Sequence, residues 1–268
     1  MSNSEAIEIE ASQQPSSENT EEAKSTKTTK IVKVFATHDS RAAFVTRVFS
    51  IVFVMLSIIA VASFFPFCFP SDEDGKFHPV RQFFVDFSWI SIIFCVLFVV
   101  MYFAIICIPA VRMKSPGNLI ALILLTLAAA GIMPFLTAFK SFFGVAIALV
   151  TTALLAGFVI ILAKFTKIDL TKRWFVMCCV GFGVFIFGLG VTIVCICVPM
   201  DYGTWFIIHM IVSLIYVGMF SWYLAYDTQL VLGGRKYQLS EDQWVLGAVI
   251  IFTDVFGLLL QLLGMSGR

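Results

Sequence analysis

Two aspartates near the end of the chain are the residues whose placement could do chemistry. Asp227 lies in one apolar run, and Asp254 lies in the middle of the next. A charged side chain at bilayer depth costs at least about 2.5–3.5 kcal/mol, so an acid held there is a functional candidate. Desolvation and a neighbouring like charge both favour the protonated form of a carboxyl. The pair is therefore expected to share one proton near neutral pH and to act as a proton-controlled latch.

Helical spacing puts the two acids at similar depth. Asp254 follows Val245 by nine residues, about 13 Å along a helix axis, and Asp227 precedes Gly233 by six residues, about 9 Å. If the two helices are antiparallel, the acids differ in depth by only about 4 Å, so contact between the carboxyls is geometrically possible. Taken alone, Asp227 is also explained as a polar helix end that reaches toward lipid headgroups.

The segment between the two apolar runs predicts a tight return. Gly233-Gly234 is typical of a helix end. Ser240 followed three residues later by Gln243 predicts a capping box at the start of the next helix. The last two apolar runs are therefore expected to form a helical hairpin.

The face of the last helix that carries Asp254 contains further informative residues. Gly247 and Gly257 lie seven residues before and three residues after Asp254, and Gln261 lies seven residues after it. Residues at these spacings share a helix face. We expect the glycines to admit a neighbouring helix and Gln261 to give polar support.

The composition of the chain and the lengths of its apolar runs predict the elements that carry these residues. Of the 268 residues, 60% are apolar and 13% are charged, and the charges separate apolar runs of about twenty residues, the length that spans a bilayer. The fold class is thus an all-α polytopic membrane protein, a seven-transmembrane-helix bundle with a disordered N-terminal tail. The expected spans are 43–68, 86–110, 118–136, 142–163, 174–198, 203–228 and 244–264.

The distribution of Lys and Arg predicts the orientation. With seven spans, the side that faces the N-terminal tail carries 13 of these bases in tail and loops, against 4 on the other side. Bases concentrate on the cytosolic side of membrane proteins, so the N-terminus is expected to be cytosolic. Arg112 lies at a cytosolic span end, within possible reach of Asp227.

Three regions follow from the same patterns. Residues 1–42 are rich in Ser, Thr, Glu, Gln and Lys and predict a disordered tail. Residues 43–264 form the transmembrane domain, and residues 265–268 form a short C-terminus. No cleaved signal peptide is expected before the first span.

All seven cysteines lie within apolar runs or at their ends, which predicts that they pack in the core or contact lipid. A disulfide between Cys68 and Cys197 is the alternative that the sequence leaves open.

Enzyme signatures are missing from the sequence. We find no HExxH, GxSxG or P-loop motif and no His/Cys/Asp cluster with metal-ligand spacing, so no enzyme, cofactor or metal centre is expected. An intramembrane aspartyl protease also uses two aspartates. Tyr226-Asp227 matches half of its pattern, but Ile251-Phe252-Thr253 stands before Asp254 where a protease carries Gly-x-Gly.

The segment AYDTQLVLGG at 225–234, followed by SED at 240–242 and by Thr253-Asp254, strongly resembles the C-terminal signature of the transmembrane Bax inhibitor motif family, in its lifeguard branch. The resemblance covers about residues 40 to 264. Supporting matches lie at 41–49, 80–83, 116–119 and 167–171.

This resemblance implies a function and a site. It implies a pH-sensitive pair, Asp227 and Asp254, that governs calcium leak across an intracellular membrane and suppresses cell death, with Arg112 as a possible latch partner. Expected partners are calcium ions as the permeant species, membrane lipids and other membrane proteins of cell-death or calcium pathways, and no nucleic acid. The expected location is the endoplasmic reticulum or Golgi membrane, or else the plasma membrane.

Two other functions stay open. A non-conducting scaffold would suppress cell death through protein partners, and deletion of residues 1 to 40 would abolish its function while leaving a channel largely intact. A seven-helix receptor is disfavoured because receptor motifs are absent and the non-cytosolic loops are short.

Overall fold

The computed structural model describes residues 37–69, 78–199 and 201–266. The chain divides into two units, residues 1–43 and 44–268. Most of the predicted disordered tail therefore lies outside the described residues. Within the described part the regular structure is entirely helical, as expected for apolar segments whose backbone polar groups must be satisfied without water.

Seven helices are long and apolar enough to span a membrane, which confirms the predicted architecture of an integral multi-pass membrane protein. They are α1 (Thr37–Phe64), α3 (Ile90–Cys107), α5 (Gly117–Thr137), α6 (Phe142–Phe165), α7 (Trp174–Cys197), α8 (Tyr202–Leu232) and α9 (Trp244–Met265). Two short helices, α2 (Pro79–Asp86) and α4 (Pro109–Met113), flank α3, and 3-10 turns cover Phe65–Cys68, Leu170–Arg173 and Glu241–Gln243.

The last span, α9, is the central element of the bundle. It packs against α8 and α6 most extensively, and it also contacts α3, α4 and α5. In its most apolar stretch 67% of the residues are buried inside protein, against 6% for α3 and for α7. Asp254 is thus carried by the helix that is best shielded from lipid.

Small residues let the helices approach closely. A Cβ built on Gly131 of α5 would overlap the ring of Phe94 in α3. One built on Gly181 of α7 would overlap the hydroxyl of Tyr223 in α8. Because bilayer helices associate through close van der Waals packing, these glycines fix the neighbours of their helices.

The hairpin between α8 and α9 forms as predicted, but its second helix begins differently. Helix α8 ends at Leu232, and Gly233 and Gly234 adopt positive φ angles of 75° and 74°. The capping-box prediction is wrong. Ser240 makes no side-chain capping bond, and a 3-10 turn at Glu241–Gln243 leads into α9 instead.

A buried glutamine in α8 binds the loop that follows α6. Gln229, which is 1% exposed, accepts a hydrogen bond from the backbone N–H of Leu170 (2.9 Å) and donates to the carbonyls of Ile168 (3.0 Å) and Ala163 (3.3 Å). Sequence reasoning assigned no role to this side chain. Its amide bonds to three backbone groups, one in the last turn of α6 and two in the segment that follows, so it fixes this segment beside the hairpin.

Replacing Gln229 with leucine is expected to destabilise the protein, because each buried polar group left unpaired costs about 1–3 kcal/mol. The thermal unfolding temperature of the detergent-purified variant measures the effect. The matched control is Gln238→Leu, which changes an exposed glutamine that binds only the N–H of Gly234 in the described structure. Equal unfolding temperatures for the two variants would contradict the assigned role.

Candidate functional site

The structure brings the two predicted acids together at the interface between α8 and α9. Asp227 lies five residues before the end of α8, and Asp254 lies ten residues into α9. Their carboxyl groups lie close enough to interact directly. A hydrogen bond between them needs a proton on one of the two, because a carboxylate only accepts hydrogen bonds.

Close helix packing on both sides of Asp254 makes the contact possible. A Cβ on Gly257 would lie 2.5 Å from the ring of Phe220 in α8. A Cβ on Gly247 would lie 3.3 Å from Val231, also in α8. The predicted use of these glycines, close approach of another helix, is therefore what the structure shows, and that helix is the one that carries Asp227.

The pair is enclosed, and part of its hydrogen-bonding capacity is unused. Asp254 is 7% exposed, and Asp227 is half-buried. Among the described residues, the Oδ2 atom of Asp254 has no hydrogen-bond partner, and neither has the Oγ1 atom of the fully buried Thr228. Buried polar atoms without partners are costly and concentrate at functional sites.

Two tyrosines complete the surroundings of the pair. Tyr102 of α3 and Tyr223 of α8 both lie close enough to interact electrostatically with Asp227 and Asp254. Tyr223 also donates a hydrogen bond to the carbonyl of Met177 in α7 (2.7 Å). Sequence reasoning missed both. Tyr223 lies four residues before Asp227, so helical spacing alone places it on the same face, whereas Tyr102 comes from a distant span and gave no such signal.

Arg112 does not reach Asp227 in this structure. Its Nη1 atom donates to the carbonyl of Ile106 (2.8 Å), across the break between α3 and α4, and its Nε atom is buried without a partner among the described residues. A latch between Arg112 and Asp227 therefore stays a prediction.

Gln261 and Thr253 lie on the same helix as Asp254 without bonding to it. Gln261 is half-buried, about 10 Å further along α9, and no hydrogen bond between it and Asp254 is present in the described structure. Thr253, which stands directly before Asp254, donates its hydroxyl to the carbonyl of Val249 (2.8 Å). The support expected from Gln261 stays a prediction.

No group of three or more His, Cys, Asp or Glu side chains in the described residues could hold a metal ion. The described cysteines are free, and all but Cys195 are exposed on the outer surface of the helices. The buried carboxyls of Asp227 and Asp254 thus stay the candidate site in the part of the chain that the structure describes.

Comparison with known proteins points to one family. The family described as inhibitor of apoptosis-promoting Bax1 matches residues 41–268. Protein lifeguard 3 of Homo sapiens is 31% identical over 228 residues, which cover 84% of this chain and 69% of that protein. Protein lifeguard 3 of Mus musculus is 31% identical over 230 residues, with the same shares covered.

Proposed function

The chain belongs to the Bax inhibitor family of membrane proteins, and we propose that it passes calcium across its membrane under the control of the proton shared by Asp227 and Asp254. Membership of the family supports a role in inhibiting apoptosis. The family is known for membrane proteins without enzymatic activity, and the proposal accordingly assigns no catalysed reaction.

The observation that carries this proposal is the carboxyl contact inside the bundle. With one proton present, the two side chains are joined by a hydrogen bond, and α8 and α9 are held together at this depth. Loss of that proton leaves two negative charges in contact in a medium of low dielectric, where they repel strongly. The proton therefore sets whether α8 and α9 stay closed at the pair.

The same charge change suits a cation pathway. A carboxylate pair without its proton attracts a divalent cation, and oxygen ligands are those that calcium prefers. Among the described residues, the Oδ2 atom of Asp254 has no hydrogen-bond partner and is free to accept such a ligand. An ion that moves between α8, α9 and their neighbours would meet these atoms near the middle of the bilayer.

Calcium flux into liposomes tests the proposal. The full chain is reconstituted in vesicles that contain a calcium-sensitive dye, and the initial rate of calcium entry is measured on both sides of neutral pH. We expect entry above that of protein-free vesicles and a rate that changes with pH. Entry equal to that of protein-free vesicles at every pH would overturn the proposal and favour the non-conducting scaffold.

Replacing Arg112 with glutamine separates two roles for that residue. Because Arg112 bonds to the carbonyl of Ile106, we expect the substitution to lower the unfolding temperature and to leave the pH dependence of calcium flux unchanged. Lys114→Gln, which changes an exposed base nearby, is the control. A shifted pH dependence in the Arg112 variant would instead support the latch with Asp227.

The location proposed for this activity is an intracellular membrane, the endoplasmic reticulum or Golgi, with the N-terminus in the cytosol. The support for the orientation is the excess of Lys and Arg in the loops on the N-terminal side. The organelle is proposed from the family alone. Fluorescence of a tagged chain, with protease accessibility of the N-terminus in sealed microsomes, tests both statements.

A further inference from the structure

Two loops on the same side of the membrane are joined into one basic surface. Loop 166–173, between α6 and α7, and loop 233–243, between α8 and α9, lie on the side where α1 begins, because the spans alternate in direction. The two loops carry five bases and three acids. The bases are Lys167, Lys172, Arg173, Arg235 and Lys236, and the acids are Asp169, Glu241 and Asp242.

Hydrogen bonds fix the two loops to each other. The carboxylate of Asp169 accepts from the backbone N–H of Lys236 (3.3 Å), and the hydroxyl of Thr171 accepts from the N–H of Tyr237 (3.3 Å). Arg235 donates to the carbonyls of Thr166 and Lys167. The basic residues are therefore held at set positions, which a flexible polybasic segment does not provide.

Asp169, the acid between the two loops, is already engaged. Asp169 accepts hydrogen bonds from the hydroxyl (2.6 Å) and the N–H (3.1 Å) of Thr171, and its Oδ2 atom lies 3.6 Å from the ammonium of Lys172. The hydrogen bond from the Thr171 hydroxyl is the main cause that lowers the pKa of Asp169. This carboxylate stays ionised at neutral pH and has little capacity left for a cationic ligand.

An aromatic cavity opens where the loops meet. Its volume is about 340 Å³, and it is lined by Trp174, Tyr226 and Tyr237. Arg173 directly precedes Trp174 and is exposed, and the ammonium of Lys236 lies 5.1 Å from the ring centroid of Tyr237. The volume is at the lower end of the range for small-ligand sites. Its walls are aromatic, and Lys236 lies against one of them.

We propose that this cavity binds the headgroup of a polyphosphoinositide lipid, with the aromatic rings against the inositol ring and with Arg173 and Lys236 on its phosphates. Lys/Arg clusters next to membrane spans on the cytosolic side attract anionic lipids, and Trp and Tyr lie at headgroup level. Phosphatidylserine fits less well, because it has no ring to lie against the aromatic walls and carries fewer phosphate charges for the two bases. This inference does not depend on whether the carboxyl pair conducts calcium.

Thermal unfolding of the detergent-purified full chain tests the inference. The probes are dioctanoyl phosphatidylinositol 4,5-bisphosphate, dioctanoyl phosphatidylserine, dioctanoyl phosphatidylcholine and free inositol trisphosphate. We expect the bisphosphate lipid to raise the unfolding temperature by about 5 °C at saturation and phosphatidylcholine to leave it unchanged. No rise with the bisphosphate lipid, or an equal rise with phosphatidylserine, would overturn the proposal. An equal rise with free inositol trisphosphate would identify a soluble-phosphate site and would also overturn it.

Matched double variants locate the site. The double variant Arg173→Gln/Lys236→Gln is expected to weaken the apparent affinity for the bisphosphate lipid about thirtyfold, since each base near the membrane surface raises the affinity about fivefold. Lys114→Gln with Lys164→Gln removes the same charge from exposed positions on the same side, and its affinity should stay within about threefold of wild type. Trp174→Leu keeps every charge and is expected to weaken binding too. Equal losses in the two double variants would show unspecific attraction and overturn the assignment.

Discussion

Asp254→Asn is expected to abolish the pH dependence of calcium flux through reconstituted protein. Asparagine has nearly the same size as aspartate and can hydrogen-bond to Asp227, but it carries no proton that titrates. The site then keeps a single ionisable carboxyl and loses the repulsion between two like charges. The measurement is the ratio of the initial rates of calcium entry on the alkaline and acidic sides of neutrality, which we expect to fall to about 1 if the shared proton is the only control.

Two controls make this result specific to the pair. Asp242→Asn removes an exposed carboxyl just before the same helix and should preserve the wild-type ratio. Asp254→Glu keeps a titrating carboxyl and should restore a pH-dependent rate, with a lower unfolding temperature because the buried site must admit an extra methylene. A wild-type ratio in Asp254→Asn would remove the pair from any role in pH control.

The depth of the two acids could be predicted because helical rise is regular. Counting residues from Val245 and Gly233 places both carboxyls at similar depth, and the structure adds that they touch. The limits of the spans could also be predicted, because the thickness of the bilayer sets the length of each apolar run. The rotation of each helix about its axis and the residues that it contacts depend on the neighbouring helices as well.

Features that depend on distant segments or on local competition could not be predicted. Nothing near Tyr102 in the sequence indicates that it faces the pair, since its span is separated from α9 by four others. At Ser240, the residue types matched a capping box, but the chain enters α9 through a 3-10 turn, in which the backbone N–H of Gln243 bonds to the carbonyl of Ser240. For Arg112, the sequence predicted the side of the membrane on which it lies, but its guanidinium donates to the carbonyl of Ile106 and not to Asp227.

The contact between Gly257 and Phe220 explains how two carboxyl groups can meet between two apolar helices. Helix α9 has a hydrogen atom where another residue would place a Cβ, and the ring of Phe220 fills that space. This contact lies one turn from Asp254 and sets the distance between α8 and α9 at the pair. Close approach here is thus a condition for the hydrogen bond between the carboxyls.

Replacing Gly257 with alanine is therefore expected to destabilise the protein although alanine is the better helix former. The added Cβ would lie 2.5–2.7 Å from three atoms of the Phe220 ring, and overpacking of this kind costs about 1–3 kcal/mol. The gain in helix propensity is at most about 1 kcal/mol. The unfolding temperature in detergent measures the net effect, and calcium flux measures whether the separated pair still responds to pH.

Gly218→Ala provides the matched control, because Gly218 lies within α8 and no neighbouring atom stands within 4 Å of the position that a Cβ would take there. This variant should be as stable as wild type or slightly more stable. Phe220→Leu in the Gly257→Ala background should recover part of the lost stability, since the smaller side chain makes room for the added methyl. If Gly257→Ala and Gly218→Ala unfold at the same temperature, the approach of α8 to α9 does not depend on the missing Cβ. The carboxyl contact would then have to be held by the packing of Leu224, Val231, Ile251 and Leu258 around it, all of which are fully buried.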